Sequence, residues 1–305
     1  MMNNYPLLSM VLCLDETSPD VKYYKELLHR FYSIGGCFLQ IDGDPFNYAQ
    51  LNIVLEEIDS IGIEGVGIRA IEPVSDADAV LTASHRIRSV MLRDRALEPD
   101  SIINLKKHGV QIEFSELITA DISVKLSELL TLCEKYDVRS IVLENSIIAR
   151  YRGISVRELK PEQRFQLMKK IVRHNQSRSP VGISLSHCPN KVLLHPEMAK
   201  GGTLGGCSAG IISCAVDTDG SIIPCLPMKE QIAGSIVDND LFEIWDNSPL
   251  FCQLRDRTGL RGACGSCAYR LSCGGCRAVG YYRSGDIMAP DTSCHLCLKD
   301  ECADI

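Results

Sequence analysis

The sequence lacks any block of basic residues and carries an excess of acidic ones. Its 305 residues include 32 lysines and arginines against 39 aspartates and glutamates, which gives a net charge of −7. Nucleic acids and anionic membranes attract clustered positive charge, so this composition argues against both as partners. No apolar run is long enough to span a bilayer, and residues 1–14 have neither a basic flank nor a small-residue cleavage site. We therefore expect a cytoplasmic protein that binds neither nucleic acid nor membrane.

Cysteine is scarce in the first 187 residues and dense after them. Of 15 cysteines, 12 lie between Cys188 and Cys302. In a reducing compartment such density indicates metal binding more often than disulfides. Histidine is scarce in the central cysteine cluster, where only His295 occurs, and no Cys-x-x-Cys is followed directly by histidine. The pattern therefore gives no support to covalent haem attachment.

Two Cys-x-x-Cys pairs, Cys264/Cys267 and Cys273/Cys276, follow each other closely. A tight turn between paired cysteines aims both sulfurs at one metal centre. One tetrahedral zinc needs four ligands and often uses histidine, whereas at least seven cysteines are well placed here. Ligation by about eight thiolates suits two iron–sulfur clusters with four ligands each. Structural zinc is the alternative, and disulfides are a weaker one.

Short apolar runs alternate with amphipathic stretches through residues 1–148, which is typical of repeated βα units. The pattern predicts strands at 7–14, 37–41, 65–70, 89–92, 110–114 and 140–143, and helices at 21–33, 48–61, 77–87, 99–108, 124–136 and 161–174. Six such units with right-handed crossovers predict an α/β fold with a partial (β/α)6 barrel. An open, doubly wound sheet is the alternative. We expect the barrel to span residues 1–180, and a small, loop-rich iron–sulfur domain to span residues 181–305.

The predicted barrel places acidic side chains where its strands end. Parallel α/β sheets carry out their chemistry at this edge. The residues at this edge are Asp15, Asp42, Asp44, Arg69, Arg93, Asp94, Glu113, Glu144 and Asn145, and the four carboxylates that an enzyme would use are Asp42, Asp44, Glu113 and Glu144. They would form a polar pocket at the barrel mouth, or they would simply meet solvent, as strand ends often do.

The cysteine-rich region resembles a SPASM domain, the auxiliary-cluster domain of radical SAM maturases. That family has a cysteine, a spacer, Gly-x4-Cys, and then Cys-x2-Cys-x5-Cys with further cysteines. The residues that carry the resemblance are Cys207, Gly220, Cys225, Cys264, Cys267, Cys273, Cys276 and Cys294. The run from Cys273 to Ala278 resembles the branch that includes haem-biosynthesis radical SAM enzymes. The segment Leu241–Trp245 resembles the helix between the two cysteine groups, and the whole likeness covers about residues 201–297.

By this resemblance the region holds two 4Fe-4S clusters. The ligands of the first would be Cys207, Cys225, Cys276 and Cys214. An open or non-cysteine position could replace Cys214. The ligands of the second would be Cys264, Cys267, Cys273 and Cys294. Cys297 is a further candidate ligand, whereas Cys188 and Cys252 are expected to be small core or surface residues.

The predicted barrel departs from the radical SAM family in the loop after its first strand. The family places Cys-x3-Cys-x2-Cys there to bind the cluster that cleaves S-adenosylmethionine, whereas Asp15–Asp20 contains no cysteine. After the second strand, the run from Asp42 to Pro45 stands where the family has Gly-Gly-Glu-Pro, which contacts the methionyl amine. The side chain of Asp42 would crowd that ligand. The likeness therefore indicates a degenerate radical SAM-like barrel, for which S-adenosylmethionine is not expected to be a cofactor.

A degenerate barrel joined to an intact SPASM domain resembles the stand-alone SPASM-domain proteins of peptide-maturation systems, the GeoRSP type in particular. This resemblance implies a non-catalytic partner of a separate radical SAM enzyme, which relays electrons or holds a precursor peptide. Two alternatives stay open. An enzyme would use the barrel-mouth carboxylates or an open iron site near Cys214. A structural peptide-recognition scaffold would use its clusters only as folding staples.

Overall fold

The computed structural model describes residues 5–186 and 206–297. Strands and helices alternate through the first of these ranges. The strands are β1 (Ser9–Leu14), β2 (Phe38–Gly43), β3 (Gly65–Ala70), β4 (Ile87–Leu92), β5 (Ile112–Ile118), β6 (Ser140–Asn145) and β7 (Gly182–Ser186). The helices are α1 (Val21–Ser33), α2 (Leu51–Ile61), α3 (Asp76–Ala83), α4 (Pro99–Lys107), α5 (Ile122–Tyr136), α6 (Ile148–Tyr151) and α7 (Pro161–Gln176).

The second range has shorter elements. Its strands are β8 (Ser213–Val216), β9 (Ser221–Ile223) and β10 (Gly234–Ser235). Its helices are α8 (Leu241–Asn247), α9 (Pro249–Arg255), α10 (Gly262–Ser266) and α11 (Arg277–Ser284). No helix in either described range is long and apolar enough to cross a membrane.

Local chemistry sets the ends of the N-terminal helices. The carboxylate of Asp20 accepts the backbone N–H of Lys22 at 3.0 Å and caps α1. Ser75 and Asp78 form a reciprocal capping box at the start of α3. Gly62 ends α2 in the left-handed conformation, with φ at +88°, where a side chain would add strain.

Internal packing divides the chain into two compact units whose segments alternate along the sequence. Unit 1 consists of Met1–Ser115, Tyr136–Val138 and Gly210–Cys252. Unit 2 consists of Glu116–Lys135, Arg139–Ala209 and Gln253–Ile305. The boundary expected at residue 180 stays a prediction.

Unit 1 is built on a mostly parallel sheet with the order β10-β9-β8-β1-β2-β3-β4-β5. β1 pairs in parallel with β2 on one side and with β8 on the other, where Ser9 lies opposite Ser213. β8, β9 and β10 are antiparallel. Consecutive residues of β1, such as Leu12 and Cys13, are both fully buried. This pattern is typical of a parallel sheet that is covered on both faces.

In unit 2, β6 and β7 pair in parallel, with Ser140 opposite Gly182 and Glu144 opposite Ser186. Helix α7 packs on β7. The Asn175 side chain of α7 pairs with the backbone of Ile183, accepting its N–H at 2.9 Å and donating to its carbonyl at 2.7 Å. A side-chain amide that both accepts and donates a hydrogen bond to the backbone of a strand holds its helix in place against that strand.

Candidate metal centre

Unit 2 brings five cysteines together around one pocket. Cys264 lies in α10, Cys267 follows that helix, and Cys273 ends the next loop. Cys294 and Cys297 come from the chain beyond α11. All five line the same pocket, together with Tyr269, Arg270 and Leu296. The structure thus juxtaposes the four residues expected to bind the second cluster, although their role as ligands stays a prediction.

The backbone around this pocket requires glycine at two positions. Gly275 has φ at +61°, and a Cβ there would lie 2.8 Å from Cβ of Asp291 and 2.9 Å from Sγ of Cys264. A Cβ at Gly206 would collide with the carbonyl oxygen of Cys273. Any larger residue would have to displace these backbone and cysteine atoms. Glycine at position 275, between Cys273 and Cys276, therefore has a steric reason.

Several N–H groups point at the cysteine sulfurs. The backbone N–H of Asp291 donates to Sγ of Cys264 at 3.3 Å, and that of Tyr269 donates to Sγ of Cys267 at 3.4 Å. A nitrogen of the Arg277 guanidinium also donates to Sγ of Cys264, at 3.7 Å. Donors of this kind stabilise negative charge on a ligating thiolate.

A buried carboxylate holds two parts of the site together. Asp291 is fully buried, and its Oδ2 accepts the backbone N–H of Cys276 at 2.8 Å. Its Oδ1 accepts the N–H and the hydroxyl of Ser293 at 2.9 and 2.6 Å. Asp291 therefore ties the start of α11 to the segment that carries Cys294. Nothing in the cysteine spacing marks Asp291 or Arg277, and sequence reasoning missed both.

Burial weakens the acidity of three thiols in this pocket. Desolvation raises the pKa of Cys273 and of Cys294 to about 12, and it also raises the pKa of Cys264. A thiolate at these positions needs a positive centre nearby to offset the loss of hydration. Such a site is suited to a metal that replaces the protons.

The arrangement bears on which metal would fit. In the described ranges, no group of three or more His, Cys, Asp or Glu side chains is placed to hold a single metal ion. The thiolates of a 4Fe-4S cluster bind different iron atoms, so they stand further apart than the ligands of one tetrahedral zinc. The choice of a cluster over structural zinc in this pocket stays a prediction.

The residues expected to bind the first cluster are distributed over both units. In unit 2, the backbone N–H of Cys207 donates to the carbonyl of Cys273 at 3.0 Å, and Cys276 immediately precedes α11 as its N-cap. In unit 1, Cys214 lies within β8 and is 1% exposed, and Cys225 follows β9. This ligand set stays a prediction, including the role of Cys214.

The other described cysteines fall into two groups. Cys13 and Cys133 are buried in the hydrophobic core, and burial raises the pKa of the Cys133 thiol to about 11. Cys37 and Cys252 are exposed. Cys188 lies outside the described residues. Cys297 is buried in the pocket, and the sequence feature that marks it is its Cys-x-x-Cys spacing from Cys294.

A second cavity, of about 140 Å³, opens at the carboxyl ends of β2 and β3 in unit 1. Its acidic lining residues are Asp44, Glu72 and Asp78. Asp42 precedes the lining residues Gly43 and Asp44 in the sequence. It is fully buried and forms an ion pair with the buried Arg69. Its Oδ1 accepts the N–H of Gly43 at 2.7 Å. The carboxylate of Asp42 is therefore held within the sheet and does not line this cavity.

The remaining predicted strand-end carboxylates lie elsewhere. Glu113 is half-buried on β5 in unit 1 and accepts the hydroxyl of Ser89 at 3.1 Å. Glu144 is fully buried on β6 in unit 2. The cavity beyond β2 and β3 thus contains Asp44 of the four predicted carboxylates.

The cysteine-rich region matches a known family. The family model of SPASM, an iron–sulfur cluster-binding domain, matches residues 207–274. The AdoMet-dependent heme synthase of Methanosarcina barkeri is 40% identical over 91 residues, which are 29% of this chain and 25% of the relative. The mycofactocin maturase MftC of Mycobacterium tuberculosis is 30% identical over 193 residues, which are 60% of this chain and 46% of the relative. The chain thus spans less than half the length of these curated relatives.

The fold as a whole is similar to that of SuiB from Streptococcus suis. The crystal structure of SuiB bound to its precursor peptide SuiA matches with a TM-score of 0.77 at 16% identity, over 97% of this chain and 76% of SuiB. SuiB bound to S-adenosylmethionine matches with a TM-score of 0.75. At this identity the likeness establishes the fold alone. The expected α/β fold, with a radical SAM-like barrel followed by a SPASM region, is confirmed.

The expectation of a non-catalytic partner for a separate radical SAM enzyme is wrong. The relatives are named as a synthase and a maturase, so the chain resembles the enzymes themselves. The Cys-x3-Cys-x2-Cys motif is missing from a single loop, Asp15–Asp20. Ligands of parallel α/β barrels are held by the ends of several strands, so the absence of that motif does not decide the role of the barrel.

The expectation that S-adenosylmethionine is not a cofactor is wrong as well. One relative is named as AdoMet-dependent, and SuiB has been solved with S-adenosylmethionine bound. The crowding expected from Asp42 has no basis in the structure. Its carboxylate is paired with Arg69 inside the sheet and leaves the cavity beyond β2 and β3 open.

Proposed function

We propose that this chain is an enzyme that binds S-adenosylmethionine at the carboxyl ends of its parallel strands and modifies a peptide. Its SPASM region would hold two 4Fe-4S clusters. The observation that carries the proposal is the pocket of five cysteines, which lies within and just after the segment that matches the SPASM family.

The residues of this pocket fit a cluster. The donors are all cysteines, N–H groups are aimed at the sulfurs of Cys264 and Cys267, and glycine leaves room at position 275. We assign Cys264, Cys267, Cys273 and Cys294 as its ligands, with Cys297 as the fifth thiol of the pocket. When bound, clusters of this kind accept and donate single electrons. The chain would orient the ligands through Asp291 and shield them from water by burial.

The cavity beyond β2 and β3 is our candidate site for S-adenosylmethionine. That ligand carries positive charge on its amine and on its sulfonium, which suits a cavity lined by carboxylates. Asp44 accepts the side-chain amide of Asn47 at 2.6 Å, and Glu72 pairs with the exposed Arg95 at 3.0 Å. Asp44 stands where the family carries the glutamate of Gly-Gly-Glu-Pro, so it is the residue to test first.

The loop after β1 does not fit a third cluster. Residues Asp15–Asp20 include no cysteine, and the thiols of Cys13 and Cys37 lie on or beside strands rather than in that loop. This loop therefore offers no cysteine ligand for a third cluster.

A peptide is the substrate class that we favour. The match to SuiB with its precursor peptide covers 97% of the chain, whereas the match to the heme synthase covers 29%. The shorter match says little about a substrate. The resemblance to GeoRSP-type proteins stays a prediction. It concerns only the similarity of the sequences and assigns no role to this chain.

Iron analysis tests the clusters. We expect protein purified and reconstituted without oxygen to hold about eight iron atoms per chain. Cys264→Ser should remove about four of them, while Cys252→Ser, at an exposed cysteine, should remove none. Zinc in place of iron, or full iron retention by Cys264→Ser, would contradict the assignment.

Binding and activity are tested separately. Calorimetry should show S-adenosylmethionine binding that is weakened at least tenfold by Asp44→Asn, an effect of about 1.4 kcal/mol, and left unchanged by Asp100→Asn, at an exposed site in α4. Mass spectrometry of small peptides encoded beside the gene, after incubation with reductant and S-adenosylmethionine, should show a mass change. A loaded protein that binds S-adenosylmethionine but changes no such peptide would contradict the peptide assignment.

A further inference from the structure

Arg277 places a buried positive charge beside the pocket of five cysteines. It begins α11 and is 4% exposed. Its Nη1 donates to the carbonyl oxygens of Ile287 and Ala289 at 2.9 and 2.7 Å. Its Nη2 donates to Sγ of Cys264 at 3.7 Å. Both ends of the guanidinium fork are therefore fixed, one by backbone and one by a cysteine.

The guanidinium of Arg277 has no ion-pair partner within the described ranges. Across residues 5–186 and 206–297 it forms no ion pair with an aspartate or glutamate, and its buried Nε donates to no acceptor. The nearby carboxylate of Asp291 directs its hydrogen bonds to Cys276 and Ser293. Its negative charge acts on the sulfur of Cys264 in the direction opposite to the charge of Arg277. A buried guanidinium without a counter-charge is costly unless something negative lies close by. Two negative groups can lie close to Arg277 in this pocket. One is the thiolate of Cys264, and the other is the iron–sulfur cluster that the thiolates would bind.

We propose that Arg277 is a positioning residue that raises the reduction potential of the cluster held by Cys264, Cys267, Cys273 and Cys294. The inference rests on the proposed function only in that this pocket must bind a cluster. Reduction adds one electron, so the reduced cluster carries one more negative charge than the oxidised one. A fixed positive charge and an N–H donor at Cys264 stabilise the reduced form more, because attraction grows with charge and is strong in a buried site.

A purely structural role is the competing explanation. Arg277 also clamps the carbonyls of Ile287 and Ala289, so its loss could loosen the pocket without any electrostatic effect. The reduction potential separates the two roles. A clamp affects how well the cluster is retained, whereas a charge affects how easily the retained cluster is reduced.

The experiment is an EPR-monitored redox titration of the reconstituted full chain. Arg277→Met and Arg277→Gln remove the charge, and Arg277→Lys keeps the charge but lacks the fork. Arg283→Met is the matched control, since Arg283 lies on the same helix but is exposed and paired with Glu158 at 3.0 Å. Cys264→Ser identifies the EPR spectrum of this cluster, because the signal that disappears with the four lost irons belongs to it.

We expect the two neutral variants to lower the ratio of reduced to oxidised cluster about tenfold at a fixed solution potential, which is about 59 mV for one electron. Arg277→Lys should show less than half of that shift, and Arg283→Met should show none. If Arg277→Met does not retain iron, Arg277→Gln provides the neutral variant.

Wild-type potential in an iron-loaded neutral variant would overturn the inference. Equal shifts in the lysine and the neutral variants would also overturn it, since the charge would then not be the cause. A shift confined to the other cluster would overturn it too. Wild-type protein without iron would instead overturn the proposed function, so the two failures are distinguishable.

Discussion

Single substitutions in unit 1 can be strongly destabilising, and the buried pair formed by Asp42 and Arg69 is the clearest case. Both side chains are at least 97% buried. Removing one partner from a buried pair leaves the other charge uncompensated, which typically costs about 3 kcal/mol. We therefore expect Asp42→Asn to lower the free energy of unfolding by about this amount in urea denaturation.

Asp44→Asn is the matched control for that measurement. Asp44 is only half-buried, two residues further on, and should change stability by less than about 1 kcal/mol. Equal effects of the two substitutions would show that burial of the Asp42 pair is not the cause.

Gly275 offers a test of the steric fit around the cysteines. Alanine at this position would press on Asp291 and on Sγ of Cys264, so we expect Gly275→Ala to lose about four iron atoms per chain. Gly285→Ala is the matched control, because Gly285 also has a positive φ, of +75°, but has nothing within 4 Å of a Cβ. Iron analysis distinguishes them. If both variants lose the same amount of iron, backbone strain and not crowding is responsible.

The resemblance to SPASM, rather than cysteine spacing, grouped Cys264, Cys267, Cys273 and Cys294. Spacing alone pairs Cys273 with Cys276, which is not among the residues that line the pocket. Spacing also could not indicate Arg277 or Asp291. Their importance comes from burial and from partners at positions such as Ile287 and Ser293, which only the folded chain brings together. Charged residues are usually exposed, so sequence alone favoured the wrong environment for both.

At the level of elements, the accuracy of the sequence-based boundaries follows from local chemistry. Helix α1 has the predicted bounds, since Asp20 caps it and Gly35 follows it. β5 extends four residues beyond its predicted end at 114 and runs to Ile118. β8, β9 and β10 were not predicted, because two to four residues are too few to show a period and the strands depend on partners such as β1.

Helices α1 and α2 are linked by an ion-pair network that should respond to pH. Glu57 of α2 contacts Lys25 and His29 of α1, each at 2.8 Å. The hydrogen bond from Lys25, followed by that from His29, lowers the pKa of Glu57 below its usual 4.5. A carboxylate with a lowered pKa stabilises the folded state above the unfolded pKa, and the contribution is lost as pH falls through the folded value.

We therefore expect Glu57→Gln to reduce stability by about 0.5 kcal/mol at neutral pH, because both basic partners are largely exposed. The deficit should shrink below pH 4.5 and disappear at lower pH, where wild-type Glu57 is also neutral. Thermal unfolding at a series of pH values measures this. Glu56→Gln, one residue earlier on α2, should show little pH-dependent deficit, and a Glu57→Gln deficit that is constant with pH would contradict the argument.

For the molecule as a whole, family boundaries and packing boundaries differ. The segment that matches SPASM, residues 207–274, contributes β8, β9 and β10 to unit 1 and the first cysteines of the pocket to unit 2. A composition shift near residue 180 is visible in the sequence. The pairing of β8 with β1 is not visible in the sequence, because two strands that lie about 200 residues apart leave no local pattern of their pairing.

Removal of iron should loosen one unit more than the other. In residues 253–297 the helices have five to eight residues, so we expect the clusters to supply much of the order there. When a chelator removes the metal, amide hydrogen exchange should become faster in this segment, while exchange in β1–β4 of unit 1 should still be close to that of the iron-loaded protein. The same chelator saturated with iron beforehand is the control. Uniform acceleration across both units would mean that the metal stabilises the whole chain equally.

The pairing of β1 with β8 also has a consequence for biosynthesis. Ser9–Leu12 face Ser213–Val216, so about 200 residues must be translated before β1 acquires its second neighbour. At the usual rates of synthesis this interval is on the order of 10–40 s. During this interval, the unpaired N–H and C=O groups on one edge of the apolar strand β1 are exposed to the crowded surroundings of the ribosome. The emerging chain is thus a natural client for chaperones until the codons for β8 have been read.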